Sequence, residues 1–314
     1  MLGAGAAMVL GLSACLPVDS LPDGAAGASS APVTLPAASP SASPEWLPGM
    51  PPAATGIGGT AARGAQVALP PTSGVFDYQL GGPSATVGSP ARKPTVVVRD
   101  ASAAPLAGAY SVCYVNGFQT QPGDATFWRA RAHLLVKGAN GRPLADPDWP
   151  DEYILNPTSA AQRAEILRIV GPTLSRCAQR GFKAVELDNL DTFTRFKGVP
   201  KAGALELAKA YVRLAHAKGL AVAQKNTPAL GAAGKRSIGF DFAIAESCAA
   251  YSECGSYRAV YGVHVLQIEY PSELKAQRRS FSQACADRDR SPLTILRDRP
   301  LAPAGHPGHL YRSC

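Results

Sequence analysis

Apolar positions change period repeatedly after residue 74, and those changes mark out the elements. Short, mostly apolar runs recur at 76–80, 95–98, 111–115, 184–187, 220–223, 242–245, 263–268 and 293–296, the first alternating and the second continuously β-branched. Each has the length and composition of a buried strand. Between several of them the spacing becomes helical. Over 159–180, Ile166, Ile169 and Val170 share a helical face, Ser159 and Gln162 stand at capping-box spacing, and Gly181 supplies a C′ position. Pro172 inside that stretch predicts a break or kink. Over 204–218, Leu207, Tyr211, Leu214 and Ala215 share a face, and Gly219 closes it. Strands alternating with helices predict an α/β protein with a parallel sheet. Eight strands in about 240 residues predict a (β/α)8 TIM barrel. An open doubly wound sheet would carry a Gly-rich phosphate loop after its first strand, and the sequence has none there.

The first 72 residues differ in kind. Residues 16–72 hold eleven prolines among many Ala, Ser and Gly, with almost no apolar period. Such a stretch buries too little surface to offset its ordering entropy, which predicts a disordered tether. Residues 1–14 are apolar and small, and lead into Leu12-Ser13-Ala14-Cys15. That sequence resembles the lipobox of bacterial lipoproteins, which implies cleavage of a signal peptide and lipidation of Cys15. No Lys or Arg precedes the apolar run, and it is shorter than the roughly 20 residues that span a bilayer. The expectation is an exported protein on the bacterial cell surface, touching the membrane only through the lipid on Cys15. A secreted protein with an ordinary signal peptide is the alternative. The folded domain is then 73–314.

Charge and cysteine usage refine this. The chain carries a net charge of +8. One Arg against Asp19, Asp23 and Glu45 makes residues 1–72 negative, so the domain is the basic part. Its basic residues are scattered, without the clustered, aromatic-interleaved pattern of nucleic-acid binding. After Cys15, six cysteines remain. Cys248 and Cys254 flank one loop, which favours their pairing, and Cys285 with Cys314 is the next pairing. Cys113 and Cys177 sit in apolar patterns as buried thiols. No spacing suggests a metal site or a cofactor, and the expected state is a monomer.

The candidate chemistry lies at the strand ends. Asp100, Asn116, Asp188, Asn226, Glu246, Glu269 and Asp298 each follow an apolar strand. Barrel enzymes build their sites from that edge. In 183–191, alternation puts Glu186 and Asp188 on one face and Leu187 on the other, with Asp191 in the turn beyond. Lys225 is placed to lower the pKa of a nearby carboxylate. Asp77, Tyr78 and Asp100 are subsite candidates, and Tyr78, Tyr114, Phe118 and Tyr270 are aromatic candidates for the apolar surface of a ligand cleft.

These motifs together resemble glycoside hydrolase family 114. Val185-Glu186-Leu187-Asp188-Asn189-Leu190-Asp191 is similar to that family's "E-x-D-N-x-D", and Lys225-Asn226 to its "K-N". Ala245-Glu246-Ser247-Cys248 followed by Tyr251-Ser252-Glu253-Cys254 resembles "N-E-x-C-x-x-Y-x-E-C", with Ala245 where the family commonly has Asn. Phe76-Asp77-Tyr78, Val112-Cys113-Tyr114 and Ile268-Glu269-Tyr270 resemble further strands of the family. The resemblance implies endo-cleavage of α-1,4-linked galactosamine polymers, with Asp188 as nucleophile, Glu246 as general acid/base and retention of configuration. It also implies a carboxylate-lined site for a cationic amino sugar, with Glu186, Asp191 and Glu253 as secondary acids. Asn116, Asn226 and Glu269 would complete the substrate contacts. The competing reading is a non-catalytic, lipid-anchored barrel that holds a polysaccharide without cutting it.

Overall fold

The protein is described by a computed structural model covering residues 67–314. The expected signal segment 1–14, Cys15 and the tether up to residue 66 lie outside the described residues. The expected tether extends to residue 72, but the packed chain starts earlier. Val67 packs against the core, Pro70 is buried, and the Ala68 carbonyl accepts a 2.6 Å bond from the Tyr110 hydroxyl.

Among the described residues, eight strands run parallel and pair in sequence order. They are β1 (Phe76–Gln79), β2 (Val96–Asp100), β3 (Tyr110–Asn116), β4 (Ala184–Asp188), β5 (Ala221–Lys225), β6 (Phe242–Glu246), β7 (Val265–Glu269) and β8 (Leu293–Arg297). A further strand, β9 (Tyr311–Ser313), has no mark in the apolar pattern and pairs antiparallel with β8. The helices are α1 (Ala125–Arg129), α2 (Ala160–Gln179), α3 (Thr192–Arg195), α4 (Lys201–His216), α5 (Cys254–Tyr261), α6 (Pro271–Ala276) and α7 (Phe281–Ala286). Strict strand-helix alternation fails at the first two crossovers, β1 to β2 and β2 to β3. The second of these, over 101–109, is shorter than the dozen or so residues that a helical crossover takes.

The sheet curls, and its two faces carry two separate apolar clusters. One gathers Phe76, Tyr78, Val98, Val112, Ala223, Ile244 and Ile268. The other packs Cys113, Val185, Leu187, Val222, Ala243 and Ala245 against α2, α4 and α5. The period of two along each strand sorts side chains between these clusters. Helix α2 has the expected capping box between Ser159 and Gln162 and ends before Gly181, whose φ is 93°. It also runs through Pro172. Gly171 precedes that proline, and without a Cβ it escapes much of the clash that keeps pre-proline residues out of helical backbone. The missing Cβ also lets Leu214 of α4 approach closely.

Three disulfides join the described cysteines. Cys248–Cys254 and Cys285–Cys314 form as expected. Cys113 and Cys177 are not free thiols: β3 and α2 bring them together as a third bridge with a Cα–Cα distance of 6.1 Å. Closing a separation of 64 residues contributes about 4 kcal/mol in the chain-entropy account. Three bridges fit export to an oxidising compartment.

The β1–β8 edge is joined by one buried side chain. Arg297 of β8 donates to the Asp77 carboxylate, to the Tyr78 carbonyl and to the carbonyls of Ala302 and Leu310. Asp77 therefore belongs to this seam and does not line the cleft. Arg297→Met keeps much of the volume but leaves the Asp77 charge buried without its cation. It is expected to lower the unfolding free energy by about 3–5 kcal/mol in urea titration, with Asp77→Asn added to it restoring part of the loss.

Candidate active site

The carboxyl ends of β4, β5 and β6 deliver charged groups to one place by the same parity. Ala184, Glu186 and Asp188 lie on the interior face of β4, as do Ala221, Ala223 and Lys225 of β5 and Phe242, Ile244 and Glu246 of β6. Asp188, Lys225 and Glu246 are each followed by a residue in left-handed backbone: Asn189 (φ 63°), Asn226 (φ 46°) and Ser247 (φ 57°). Asn tolerates that conformation better than most residues, and the chain turns sharply away while the preceding side chain keeps its aim.

Lys225 is the centre. Its Nζ lies 2.9 Å from Glu186 Oε1, 2.9 Å from Asp188 Oδ1 and 3.2 Å from Glu246 Oε2, and 3.1 Å from the Tyr78 hydroxyl. Burial works against its charge, but the three carboxylates outweigh that and raise its pKa well above the ordinary value. Three N–H donors serve four neighbours, and the Tyr78 ring face lies 5.6 Å away.

The acids divide into two kinds. Asp188 and Glu246 are each 19 % exposed and open into the cleft, whereas Glu186 is sealed beneath them. Asp188 accepts from the Tyr114 hydroxyl (2.6 Å), the Asn189 amide (2.8 Å) and Lys225. Burial pushes its pKa up, but Lys225 and these bonds prevail, and the net shift is downward. Glu246 accepts from the Tyr270 hydroxyl and from Asn226 Nδ2 at 3.3 Å. Glu186 accepts from Tyr78 and Lys225 through one oxygen, and its other oxygen has no partner among the described residues. Burial pushes its pKa up to about 7 despite Lys225.

These groups floor a cavity of about 790 Å³. Of the residues expected from sequence, Tyr78, Asp100, Tyr114, Asp188, Asp191, Lys225, Asn226, Glu246 and Tyr270 line it. The others do not. Glu269 points to the opposite face of β7 from Tyr270 and accepts from the Ala249 and Ala250 amides. Asn116 is buried and bridges Glu152 (2.7 Å) and Asn189 (3.0 Å). Glu253 sits at the N-cap of α5 outside the cavity. Glu186 lies below the cavity, and Phe118 packs edge-on against Tyr211 in the core.

Trp149, Glu152, Arg195, Tyr251 and Arg299 also line the cavity, and the sequence pattern does not single them out as site residues. Arg195 pairs with Asp146 (2.7 Å) and Asp191 (3.1 Å). The i,i+4 spacing of Asp191 and Arg195 is the signal that could have found it. Burial raises the Glu152 carboxyl to about 7. Trp149 and Glu152 come from the long β3–α2 connection, whose signal is the acid-aromatic run 146–153.

Two cleft-facing carboxylates at the carboxyl edge of a curled parallel sheet are the pair of groups that glycosidic cleavage uses. The chain belongs to glycoside hydrolase family GH114, whose sequence model matches residues 58–314. It is similar to the structure of Ega3 from Aspergillus fumigatus in complex with galactosamine. That likeness has a TM-score of 0.58 and 18 % identity, and covers 81 % of this chain and 100 % of that one. It is also similar to the glycoside hydrolase domain of PelA from Pseudomonas aeruginosa. There the TM-score is 0.47 and the identity 16 %, covering 72 % of this chain and 94 % of that one. No curated protein matches the sequence.

The raised Glu186 carboxyl has a testable sign. Its folded pKa, about 7, stands above its unfolded value of 4.5, so the fold favours the protonated form. Stability from this group is full below pH 4.5 and declines as pH rises toward 7, by up to about 1.4 kcal/mol per pH unit. Glu186→Gln removes that slope. Because Glu152 adds a parallel slope, the readout is the difference between parent and variant in denaturant titrations at pH 5 and pH 8. The variant is expected to gain on the parent at the higher pH.

Proposed function

We propose that this protein is an endo-acting glycoside hydrolase that cleaves α-1,4-linked galactosamine-containing polysaccharide with retention of configuration. The observation that carries it is the placement of Asp188 and Glu246 around one ammonium, 2.9 Å and 3.2 Å from Lys225 Nζ. Those two legs hold their nearest oxygens within about 6 Å, which suits the roughly 5 Å of a retaining pair better than the wider spacing of an inverting one. Glu246 protonates the glycosidic oxygen as the bond breaks, and Asp188, kept ionised by Lys225 and Tyr114, attacks the anomeric carbon. Water then displaces Asp188 from the sugar, giving its proton to Glu246 and restoring both groups.

Family membership supports glycosidase chemistry, and the galactosamine bound to the similar Aspergillus fumigatus structure supports the sugar class. Asp100, Asp148, Glu152 and Asp191 around the cavity suit a sugar that carries an ammonium group. In this reading the eight parallel strands form a closed (β/α)8-type barrel with Arg297 across its seam. The protein acts as a monomer, exported and held to the bacterial surface by a lipid on Cys15.

The test is reducing-end release from a partially deacetylated α-1,4-galactosamine polymer. The parent is expected to cut internally, and Asp188→Asn and Glu246→Gln each to lose about 10²–10⁴-fold in rate while keeping the parent's circular dichroism. A parent that binds the polymer and releases no ends would make the chain a polysaccharide-binding barrel instead.

A further inference from the structure

Two large aromatic side chains stand half in solvent at the cleft, and each is mounted on backbone that is otherwise fixed. Trp149 is 54 % exposed and Tyr251 is 51 % exposed, and both line the cavity floored by Asp188 and Glu246. A single exposed aromatic on a loose loop needs no explanation. These two are not on loose loops.

The turn that carries Trp149 is closed by its own backbone: the Trp149 amide donates to the Asp146 carbonyl at 3.2 Å, and the Glu152 amide to the Trp149 carbonyl at 2.9 Å. That turn hangs on the buried Asp146 carboxylate, which accepts from Gln119 (2.8 Å), Arg195 (2.7 Å) and the Asp148 amide (3.0 Å). Tyr251 lies inside the ring closed by Cys248–Cys254, with its amide bonded to the Ser247 carbonyl at 3.1 Å. The same ring is tied down by buried Glu269, which accepts from the Ala249 amide at 2.8 Å and the Ala250 amide at 3.3 Å. Burying a carboxylate costs free energy that only well-placed hydrogen bonds offset. Here two such acids and a disulfide serve to hold two rings out in the open.

We infer that Trp149 and Tyr251 are stacking platforms for two sugar rings of one polysaccharide chain, on either side of the bond placed between Asp188 and Glu246. The inference rests on the glycoside hydrolase reading above. The apolar face of a pyranose stacks on an aromatic face, and a rigidly held ring loses little freedom in binding. The two platforms fall on opposite sides of the acid row in strand order. The Trp149 turn is tied to the β3–β4 side through Asn116–Glu152 and Asp146–Arg195–Asp191, and Tyr251 follows β6. A chain that occupies both extends past the acids in both directions, which is what internal cleavage requires.

The test uses the full chain, the partially deacetylated α-1,4-galactosamine polymer and the disaccharide derived from it, which reaches only the two sugar positions next to the cleaved bond. Trp149→Ala and Tyr251→Ala are each expected to raise the polymer KM roughly tenfold, as loss of a binding contact does. The disaccharide should respond far less. Trp149→Phe and Tyr251→Phe should restore the polymer KM to within about twofold, because a phenyl face still stacks. A merely structural role would not show this dependence on chain length or this rescue. If the parent cuts the polymer and both alanine variants keep its KM, the platforms are refuted and the glycosidase reading stands. If the parent binds without cutting, dissociation constants for the same variants decide the platforms and only the hydrolytic reading falls. A parent that neither binds nor cuts overturns both.

Discussion

The cleft depends on one buried cation. Lys225 is 2 % exposed and touches three carboxylates that would otherwise share a nearly dry space. Two like charges about 5 Å apart repel by about 3 kcal/mol at an effective dielectric of about 20. Three acids without the ammonium would have to take up protons or let water in. With it, the charges divide by position. Asp188 has Lys225, a tyrosine hydroxyl and a backbone amide, and these together overcome its burial. Glu186 has the same lysine and a tyrosine but keeps one oxygen without a partner among the described residues, so burial wins and its pKa rises to about 7. One cation thus keeps a cleft-facing carboxylate ionised, while at a sealed carboxyl group burial outweighs the same cation.

That arrangement is a consequence of strand parity, and much of it is legible in the sequence. Short apolar runs mark all eight parallel strands, within a few residues at either end. The placing of Glu186 and Asp188 on one face follows from alternation alone. The same rule, applied strictly, removes two wrong site residues. Asp77 and Tyr78 are adjacent, as are Glu269 and Tyr270, so within each pair both cannot face the cleft. In both pairs the tyrosine faces it, and the acid does structural duty. Asp77 anchors Arg297 across the seam, and Glu269 accepts two loop amides. Neighbouring apolar residues settle the choice, since Phe76 and Ile268 lie on the interior face with the tyrosines.

What stays hidden in the sequence depends on contacts between distant segments. The Cys113–Cys177 bridge requires α2 to lie across β3, and no local pattern encodes that. Strand β9 is three residues long and is held by pairing with β8 and by Cys285–Cys314. The β3–α2 connection has no single period, yet it buries Trp128, Leu134, Leu135 and Ile154 and supplies one wall of the cleft. Pro172 misleads in the opposite direction. The rule that proline interrupts a helix assumes an ordinary residue before it, and Gly171 relaxes that assumption.

The charge of the whole chain and the charge of its cleft have opposite signs, and their separation in space decides which a substrate meets. The chain is net positive, yet Asp100, Asp148, Glu152, Asp188, Asp191 and Glu246 all border one cavity. Exposed charges are screened beyond about 8 Å at physiological salt. A cationic polymer in the groove is therefore governed by the acids within a sugar ring or two, while the basic outer surface contributes a weak, salt-sensitive repulsion. Arg195 does not spoil this acidic character, because Asp146 and Asp191 neutralise it. Arg299 is the exception. It borders the cavity beside Tyr270, 3.5 Å from Glu273, and makes the β8 side less acidic than the β3–β4 side. The cleft is thus polarised along its length, and a chain with unevenly distributed amines has one electrostatically preferred direction in it.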